Sequence, residues 1–405
     1  MLKKIIENNE EIEMVKNAQA HAFFQKLNQD LRHSAFGLPR LILDADQLER
    51  NLTYAKQQLN ENKHLKPRLV VKSLASLQLL QAVAAHFQTQ RFMVFHLPQI
   101  LPILENFSSA DVLMGKPMPA SAIEYFYLRF SSWNTANIQW LVDTPQRLTA
   151  YLDIARRYAV QLKINIEIDV GLHRGGVSNE HDLIGLMNII KAHPEQLKFS
   201  GLMGYDAHIT KLPSVIKKAE VAFAESQQIY QYFIEIIQAQ FPQLWHEELC
   251  LNGGGSPSFN FHVKQSVCND LSFGSMLLKP SDFDSTYLEA LKPALWIASP
   301  VLKVLESTEL PGMTLLNKLP HKNKALFIYG GYWMAEYVYP EGAHPHLLYG
   351  RSSNQELVNV SKMTQIDVDD YVFLRPTQSE VIIPQFAELY YYKNSAFEVW
   401  ETFRE

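Results

Sequence analysis

The chain is poor in cysteine and carries only a slight excess of negative charge. Among its 405 residues only Cys250 and Cys268 are cysteines. Their separation fits no metal-binding motif, which excludes a disulfide scaffold and a zinc ribbon and reads as two reduced thiols in a cytoplasmic protein. Basic tracts are missing as well. With 37 Lys and Arg against 42 Asp and Glu, the formal net charge is -5, so nucleic-acid binding has no electrostatic footing. No run approaches the ~20 apolar residues of a membrane span. The opening Met1-Leu2-Lys3-Lys4-Ile5-Ile6-Glu7 is too short in apolar residues, and too acidic downstream, for a signal peptide. Low-complexity segments are absent. What remains, 47% apolar and 20% charged, is the composition of a globular protein with a large core, long enough for two domains.

Residues 1–35 read as a polar, helix-forming leader. Leu41-Ile42-Leu43 is a short strand candidate, and Asp46 is placed to cap a helix running from Gln47 to about Leu59. Short apolar runs then recur at 68–72, 91–96, 110–114, 138–142, 162–170, 199–205, 247–251 and 270–278. Segments of helical period separate most of them: Ser76–Phe87, Ala120–Arg129, Gln146–Ala159, Glu180–Ala192 and a long one within 213–240. Strands alternating with helices imply parallel pairing through right-handed crossovers. Repeated this often, they predict an α/β fold: a (β/α)8, TIM-like barrel over residues 36–292. A doubly wound open sheet is the alternative, and the weakest helical signal lies in 252–270. Past Pro293 the long helical periods stop. Trp296–Val304, Met313–Leu316, Ala325–Tyr329, Tyr371–Leu374, Glu380–Ile383 and Glu388–Tyr392 are β-like. They predict a second, mainly antiparallel β domain over 293–405, joined by the leader.

In a parallel barrel the C-terminal strand ends form the active face, and the chemistry-bearing segments fall there. Lys72 ends the first strand run, where an amine at the mouth of a core is placed for Schiff-base use; the plain alternative is a solvated or ion-paired lysine. Gly253-Gly254-Gly255-Ser256 follows the seventh run. Such a loop lets backbone N–H groups converge on an anion, with the serine hydroxyl added, although it also serves as a flexible strand-to-helix turn. Gly274-Ser275 would add donors from the neighbouring wall. Arg174, between Gly171 and Gly175, offers planar donors to a phenolate or carboxylate, or a salt bridge to Asp169. Tyr205 and His208 follow the sixth run and would face a cofactor ring, or else are hydrogen-bonded loop residues. An amine, a phosphate cup and an arginine on barrel strand ends point to pyridoxal 5'-phosphate.

At these residues the chain resembles the fold-type-III pyridoxal-phosphate enzymes, which share the alanine racemase N-terminal barrel, and especially their D-threonine aldolase and D-serine dehydratase branch. Glu167–Val177 is similar to the branch's E-I-D-V-G-x-x-R-x-G-V segment, Gly201–His208 to G-L-M-G-Y-x-x-H, and Gly253–Pro257 to G-G-G-S-P. The resemblance spans roughly residues 35–400. It implies Lys72 as the Schiff-base lysine, Gly254, Gly255 and Ser256 at the phosphate, Arg174 near the phenolate oxygen or substrate carboxylate, and a homodimer. Two departures are visible. The lysine lacks the branch's flanking histidines, standing in Arg68-Leu69-Val70-Val71-Lys72-Ser73-Leu74. The branch's C-terminal Pro-x-His-x-Cys or Pro-x-His-x-Asp metal motif is replaced by Pro376-Thr377-Gln378-Ser379-Glu380. Gln378 and Glu380 offer only oxygen, which disfavours zinc and leaves either a hard divalent ion or no metal.

The expectation is therefore an amino-acid lyase of aldolase type acting on a D-β-hydroxy amino acid, a small-molecule substrate, through a Lys72 Schiff base, with Glu380 or His208 as base. Tyr332, Arg351, Asn354, Gln355 and Gln378 are the candidate substrate contacts. A racemase, with Lys72 and either Tyr332 or Tyr349 as its two proton carriers, and a D-serine dehydratase-type enzyme are the alternatives on the same scaffold. A non-catalytic pyridoxal-phosphate carrier or regulatory protein is the alternative of another class.

Overall fold

The computed structural model describes residues 19–34, 36–130, 135–213, 215–307, 312 and 323–403. It divides into two compact units. One comprises Glu49–Lys279, Phe283–Lys292 and Thr402 onward; the other comprises the described residues up to Leu48, Pro280–Asp282 and Pro293–Glu401. Among the described residues no helix is long and apolar enough to cross a membrane.

The strand expected at 41–43 forms as β1, Arg40–Asp44. It belongs to the antiparallel unit, so the barrel begins near Glu49 rather than at residue 36. The helix after it starts at Ala45, and its cap is Asp44, whose Oδ1 accepts the Gln47 N–H at 3.0 Å. Asp46, expected as the cap, is already inside the first turn. Both are good cap residues, and the strand end decides which one keeps the extended backbone that a cap needs.

The unit that begins at Glu49 is a closed parallel barrel of β2 (Lys66–Val70), β3 (Arg91–Val94), β4 (Asp111–Met114), β5 (Ile138–Val142), β6 (Leu162–Glu167), β7 (Leu197–Gly204), β8 (Cys250–Gly253) and β9 (Asp270–Phe273). Closure comes from β2 lying parallel to β9, with Arg68 opposite Ser272. Each strand overlaps one of the expected apolar runs, and the intervening helices bury one stripe against them. In Glu180–Ala192 the buried residues Leu183, Leu186, Met187 and Ile190 follow the helical period, and the Asn179 side chain accepts the Asp182 N–H. The weak helical signal of 252–270 becomes a 3-10 turn, Ser256–Ser258, and a short helix, Phe259–Lys264.

The barrel interior is polar at its centre. Arg68 is fully buried. Its guanidinium is bidentate to Asp270 at 2.6 and 3.0 Å, reaches the Asp111 carboxylate at 3.2 and 3.3 Å, and donates to the Phe92 and Asp111 carbonyls. Arg91 and Asn252 also hold Asp270, and Gln139 holds Asp111. Both cysteines are buried free thiols, and Cys250 Sγ accepts from Arg68.

The second unit is built on an open, mainly antiparallel sheet. β10 (Leu295–Leu305) pairs with β1, with β11 (Asn323–Tyr329) and with β15 (Tyr371–Pro376). β12 (Ala335–Tyr339) lies against β15; β13 (His344–Pro345) and β14 (Gln355–Ser361) extend from β11; β16 (Glu388–Lys393) and β17 (Ala396–Glu401) form a hairpin beside β1. A helix over residues 19–33 covers one face, burying Phe24, Leu27 and Leu31 against Ile42, Trp296, Phe373 and Tyr390. Phe24, Leu27 and Leu31, in the described part of the leader, thus belong to this unit's core. The strand expected at Met313–Leu316 lies outside the described residues. Glu380–Ile383, expected as a strand, is helical instead over Ser379–Ile382. Pro384 bounds a segment too short to reach across the sheet, and Gln378 takes the extended cap position before it.

Removing one member of a buried ion network leaves the others uncompensated. Arg68→Ala is expected to cost about 3–5 kcal/mol of unfolding free energy in urea titrations; a loss below ~1 kcal/mol would contradict the role given to the network. Burial raises the Asp111 carboxyl, but the charge and hydrogen bond of Arg68 outweigh it, so its pKa lies below the ordinary 3.8. A depressed carboxyl contributes stability above its unfolded pKa and loses it as pH falls through the folded one. This contribution should therefore hold at neutral pH and disappear only below about pH 4.

Candidate active site

The candidate residues fall into two groups, one in each unit. The first lies on the C-terminal rim of the barrel. β2 ends at Val70, two residues before the expected strand end, so Lys72 sits in the 3-10 turn Val71–Leu74. Its Nζ lies 4.7 Å from the centroid of the Phe95 ring. Gly115, after β4, makes room for that ring: a Cβ there would fall 2.4 Å from Phe95 Cζ. Neither Phe95 nor Gly115 was singled out in the sequence, because a ring resting on a glycine of the adjacent strand leaves no local pattern.

The turn that carries Lys72 is tied to the next wall. Ser275 Oγ donates to Ser73 Oγ at 2.7 Å, and Gly274 packs on Ser73 and Val70 so closely that a Cβ would meet them at 3.0–3.1 Å. On the other side, the N–H groups of Gly274 and Met276 point at Ser256 Oγ, at 3.4 and 3.1 Å. Two backbone donors and a hydroxyl thus converge where β8 and β9 end, an arrangement suited to an anion. Gly254 has φ of +75°, and a Cβ on it would lie 2.4 Å from Leu271 Cδ1, so both conformation and space require glycine here. The Gly255 N–H is directed inward, to Ser258 Oγ at 3.2 Å.

The segment after β6 is a closed excursion, since Val177 N–H returns to the Glu167 carbonyl and Asp169 N–H to the Val177 carbonyl. Gly176, with φ of +92°, lets the returning chain pass Asp169, where a Cβ would clash at 2.8 Å. Asp169 is occupied by the N–H groups of Gly171 and His173 and by His173 Nδ1 at 2.7 Å. Burial opposes its charge, but the His173 backbone and ring and then Gly171 outweigh it and hold its carboxyl below the ordinary value. Arg174 is exposed and lies over the Tyr205 ring at 4.7 Å, a cation–π contact, while Tyr205 packs against Gly255. His208 is partly buried, and its Nδ1 is buried with no hydrogen-bond partner. Burial holds its pKa below 6.5 against the pull of Asp206 and Asp169.

Glu167, at the end of β6, is a group that motif reading passed over as part of a segment. Burial first, and then the Asp143 carboxylate, push its pKa up to about 7, with Arg174 pulling the other way.

The second group lies in the antiparallel unit. The loops at Gly330–Trp333 and Ser352–Asn354 are joined through their backbones: Gly330 N–H donates to the Asn354 carbonyl at 2.7 Å and Tyr332 N–H to that of Ser352 at 3.1 Å. Tyr332 is 66% exposed, and Asn354 and Gln355 are exposed, with Gln355 accepting from Lys303. Arg351 is already engaged, by the buried Glu356 at 3.0 Å, the Ala335 carbonyl and the face of Tyr337. Gln378 donates to Asp282 at 2.6 Å, and Glu380 accepts from Ser379 at 3.4 Å. Among the described residues no group of three or more His, Cys, Asp or Glu side chains is arranged to hold a metal ion.

Comparison with known proteins fits this picture. Among curated proteins, the chain is 24% identical over 153 residues to a 3-hydroxy-D-aspartate aldolase of Paracoccus denitrificans (strain Pd 1222) and 26% identical over 152 residues to a D-threonine aldolase of Arthrobacter sp.. Each match takes in 36% of this chain and spans little more than a third of the relative's own length, 37% and 38%. Among solved structures, D-threonine aldolase from Filomicrobium marinum matches with a TM-score of 0.70 and 16% identity, over 90% of this chain and 96% of that one. Alanine racemase of Clostridium difficile 630 matches with a TM-score of 0.68 and 14% identity, over 91% of this chain and 99% of that one. These likenesses establish the fold, a TIM-like barrel plus an antiparallel domain as in alanine racemase. The family model described as "Alanine racemase, N-terminal domain" matches residues 43–281, more than half of the chain; the chain therefore belongs to that family, whose cofactor is pyridoxal phosphate.

Proposed function

We propose that the chain is a pyridoxal 5'-phosphate-dependent lyase of aldolase type, acting on a D-configured β-hydroxy amino acid through a Schiff base to Lys72. The observation that carries this reading is the 2.7 Å bond from Ser275 to Ser73. It fastens the turn bearing the amine to the segment whose N–H groups converge on Ser256. An amine and an anion seat held together on one barrel rim suit an aldehyde that carries a phosphate. The remaining rim residues fit the same group. Arg174 and Tyr205 present a planar cation and an aromatic face, and the unpartnered His208 Nδ1 is a buried polar atom in want of a partner. Bound there, the cofactor would supply the electron sink for the bond broken at the substrate α-carbon.

The chain's own residues then divide the work. Lys72 supplies the amine, and Gly254, Ser256, Gly274 and Ser275 receive the phosphate, with Gly255 shaping the loop through Ser258. His208 takes the proton of the β-hydroxyl, because burial keeps its imidazole neutral at physiological pH. Tyr332, Asn354 and Gln355 carry exposed polar groups for the substrate, with Arg351 bracing their loop. Gln378 and Glu380 hold a hard divalent ion weakly or none, and Glu380 contributes charge. The names of the curated relatives support a D-β-hydroxy amino acid as the substrate class. We further propose a cytoplasmic homodimer.

The direct test is a screen of D- and L-amino acids with the cofactor-loaded protein, following aldehyde, keto acid and optical rotation. Aldehyde together with a shorter amino acid, from the D-β-hydroxy series only, is the expected result. Keto acid or loss of optical activity without aldehyde would replace the lyase by a dehydratase or a racemase. If His208 is the base, kcat/KM should rise with pH through a pKa below 6.5 and stay level above it, and His208→Asn should remove that limb with a loss of about 10²–10⁴-fold. An inflection near 7 that survives in His208→Asn would transfer the role to Glu167. Activity is expected to survive EDTA or to respond only to hard divalent ions, and Glu380→Gln should lower turnover without loss of cofactor. Stoichiometric zinc after dialysis, or full turnover in Glu380→Gln, would overturn those two assignments.

A further inference from the structure

Beneath the glycine-rich loop lies a buried, hydrogen-bonded pair to which no step above gives a role. Asp206 and His262 are 2% and 1% exposed, with Asp206 Oδ2 2.8 Å from His262 Nε2. The second carboxylate oxygen accepts the Ser258 hydroxyl at 2.7 Å, and Ser258 Oγ in turn accepts the Gly255 N–H at 3.2 Å. On the far side His262 Nδ1 meets Ser266 Oγ at 2.9 Å. The imidazole is packed against the glycines themselves: a Cβ would come within 3.2 Å of the ring at Gly253 and 2.9 Å at Gly254. Phe223 closes the pocket edge-on, its ring centroid 5.0 Å away.

We propose that Asp206 and His262 are a buried positioning pair that sets the Gly253–Ser258 loop and thereby confers the preference for a phosphorylated cofactor. This rests on the reading that the loop receives the phosphate. The argument is one of cost. Apolar residues of like volume would fill this space without desolvating a carboxylate. What the pair adds is an ordered chain from His262 through Asp206 and Ser258 to the Gly255 N–H, which fixes the loop's peptide orientation from below. Neither residue touches the reacting atoms, so their influence should appear only where the phosphate is present.

The test compares dissociation constants of pyridoxal 5'-phosphate and of pyridoxal for the full chain stripped of cofactor, in wild type, His262→Phe and Asp206→Asn. Phenylalanine keeps a ring against Gly253 and Gly254 but loses both hydrogen bonds and leaves Asp206 with Ser258 alone. We expect the wild type to prefer the phosphate ester. His262→Phe should reduce that preference about tenfold or more, with pyridoxal affinity unchanged within about twofold. Asp206→Asn, which can still accept from Ser258, should shift the ratio in the same direction by less. An unchanged ratio in both variants, or equal weakening of both ligands, would overturn the proposal and leave a purely structural pair. Should His262→Phe fail to fold, the near-isosteric Asp206→Asn decides on the same ratio. A wild type that binds both ligands equally would overturn the phosphate assignment itself, and this inference with it.

Discussion

The barrel is organised around one buried cation. Arg68 stands in the middle of β2 with no exposed surface and binds groups from β3, β4, β8 and β9. Such a residue is satisfied in one register only, since sliding β2 by a residue would turn the guanidinium out among the helices. Its energetic merit over an apolar core is small, because desolvation offsets much of the attraction. Its effect is to specify geometry. Four residues on, the same chain carries Lys72, so the register fixed by Arg68, Asp270 and Asp111 also fixes where the amine emerges. On β6 the alternation of side chains does the same: Asn165 joins the interior network through Gln139, and Glu167, two residues later, emerges on the same face at the rim.

Above this layer the rim is held by short polar ties. Ser73 and Ser275 link neighbouring walls, Ser256 gathers the N–H groups of Gly274 and Met276, and Asp169 closes its own loop on Gly171 and His173. None of these bonds is worth more than about 1–3 kcal/mol, but together they hold groups from separate strands at fixed spacing, as catalysis by positioning requires.

Much of this was legible in the sequence. The eight apolar runs, the helical stripes and the change of character after Pro293 follow from the periods of strands and helices, which are local. The glycine-rich loop and the Glu167–Val177 segment that carries Arg174 were visible because special backbone geometry needs glycine. What stayed hidden is non-local. Arg68 was read merely as the start of an apolar run, since its partners Asp111 and Asp270 are remote in the chain. Phe95 and Gly115 form a seat only once adjacent strands are aligned. Asp206 lay inside a recognised segment, but His262, its partner, follows a different strand. The helix at Ser379–Ile382 was mistaken for a strand because four residues are too few to display a period.

The central claim is that Lys72 is the amine that carries the cofactor. It is tested most directly by reducing the cofactor-loaded protein with borohydride and mapping the modified peptide by mass spectrometry. The account predicts a single pyridoxyl-phosphate label on Lys72 and none in Lys72→Ala. A label on another lysine, or one that persists in Lys72→Ala, would contradict it.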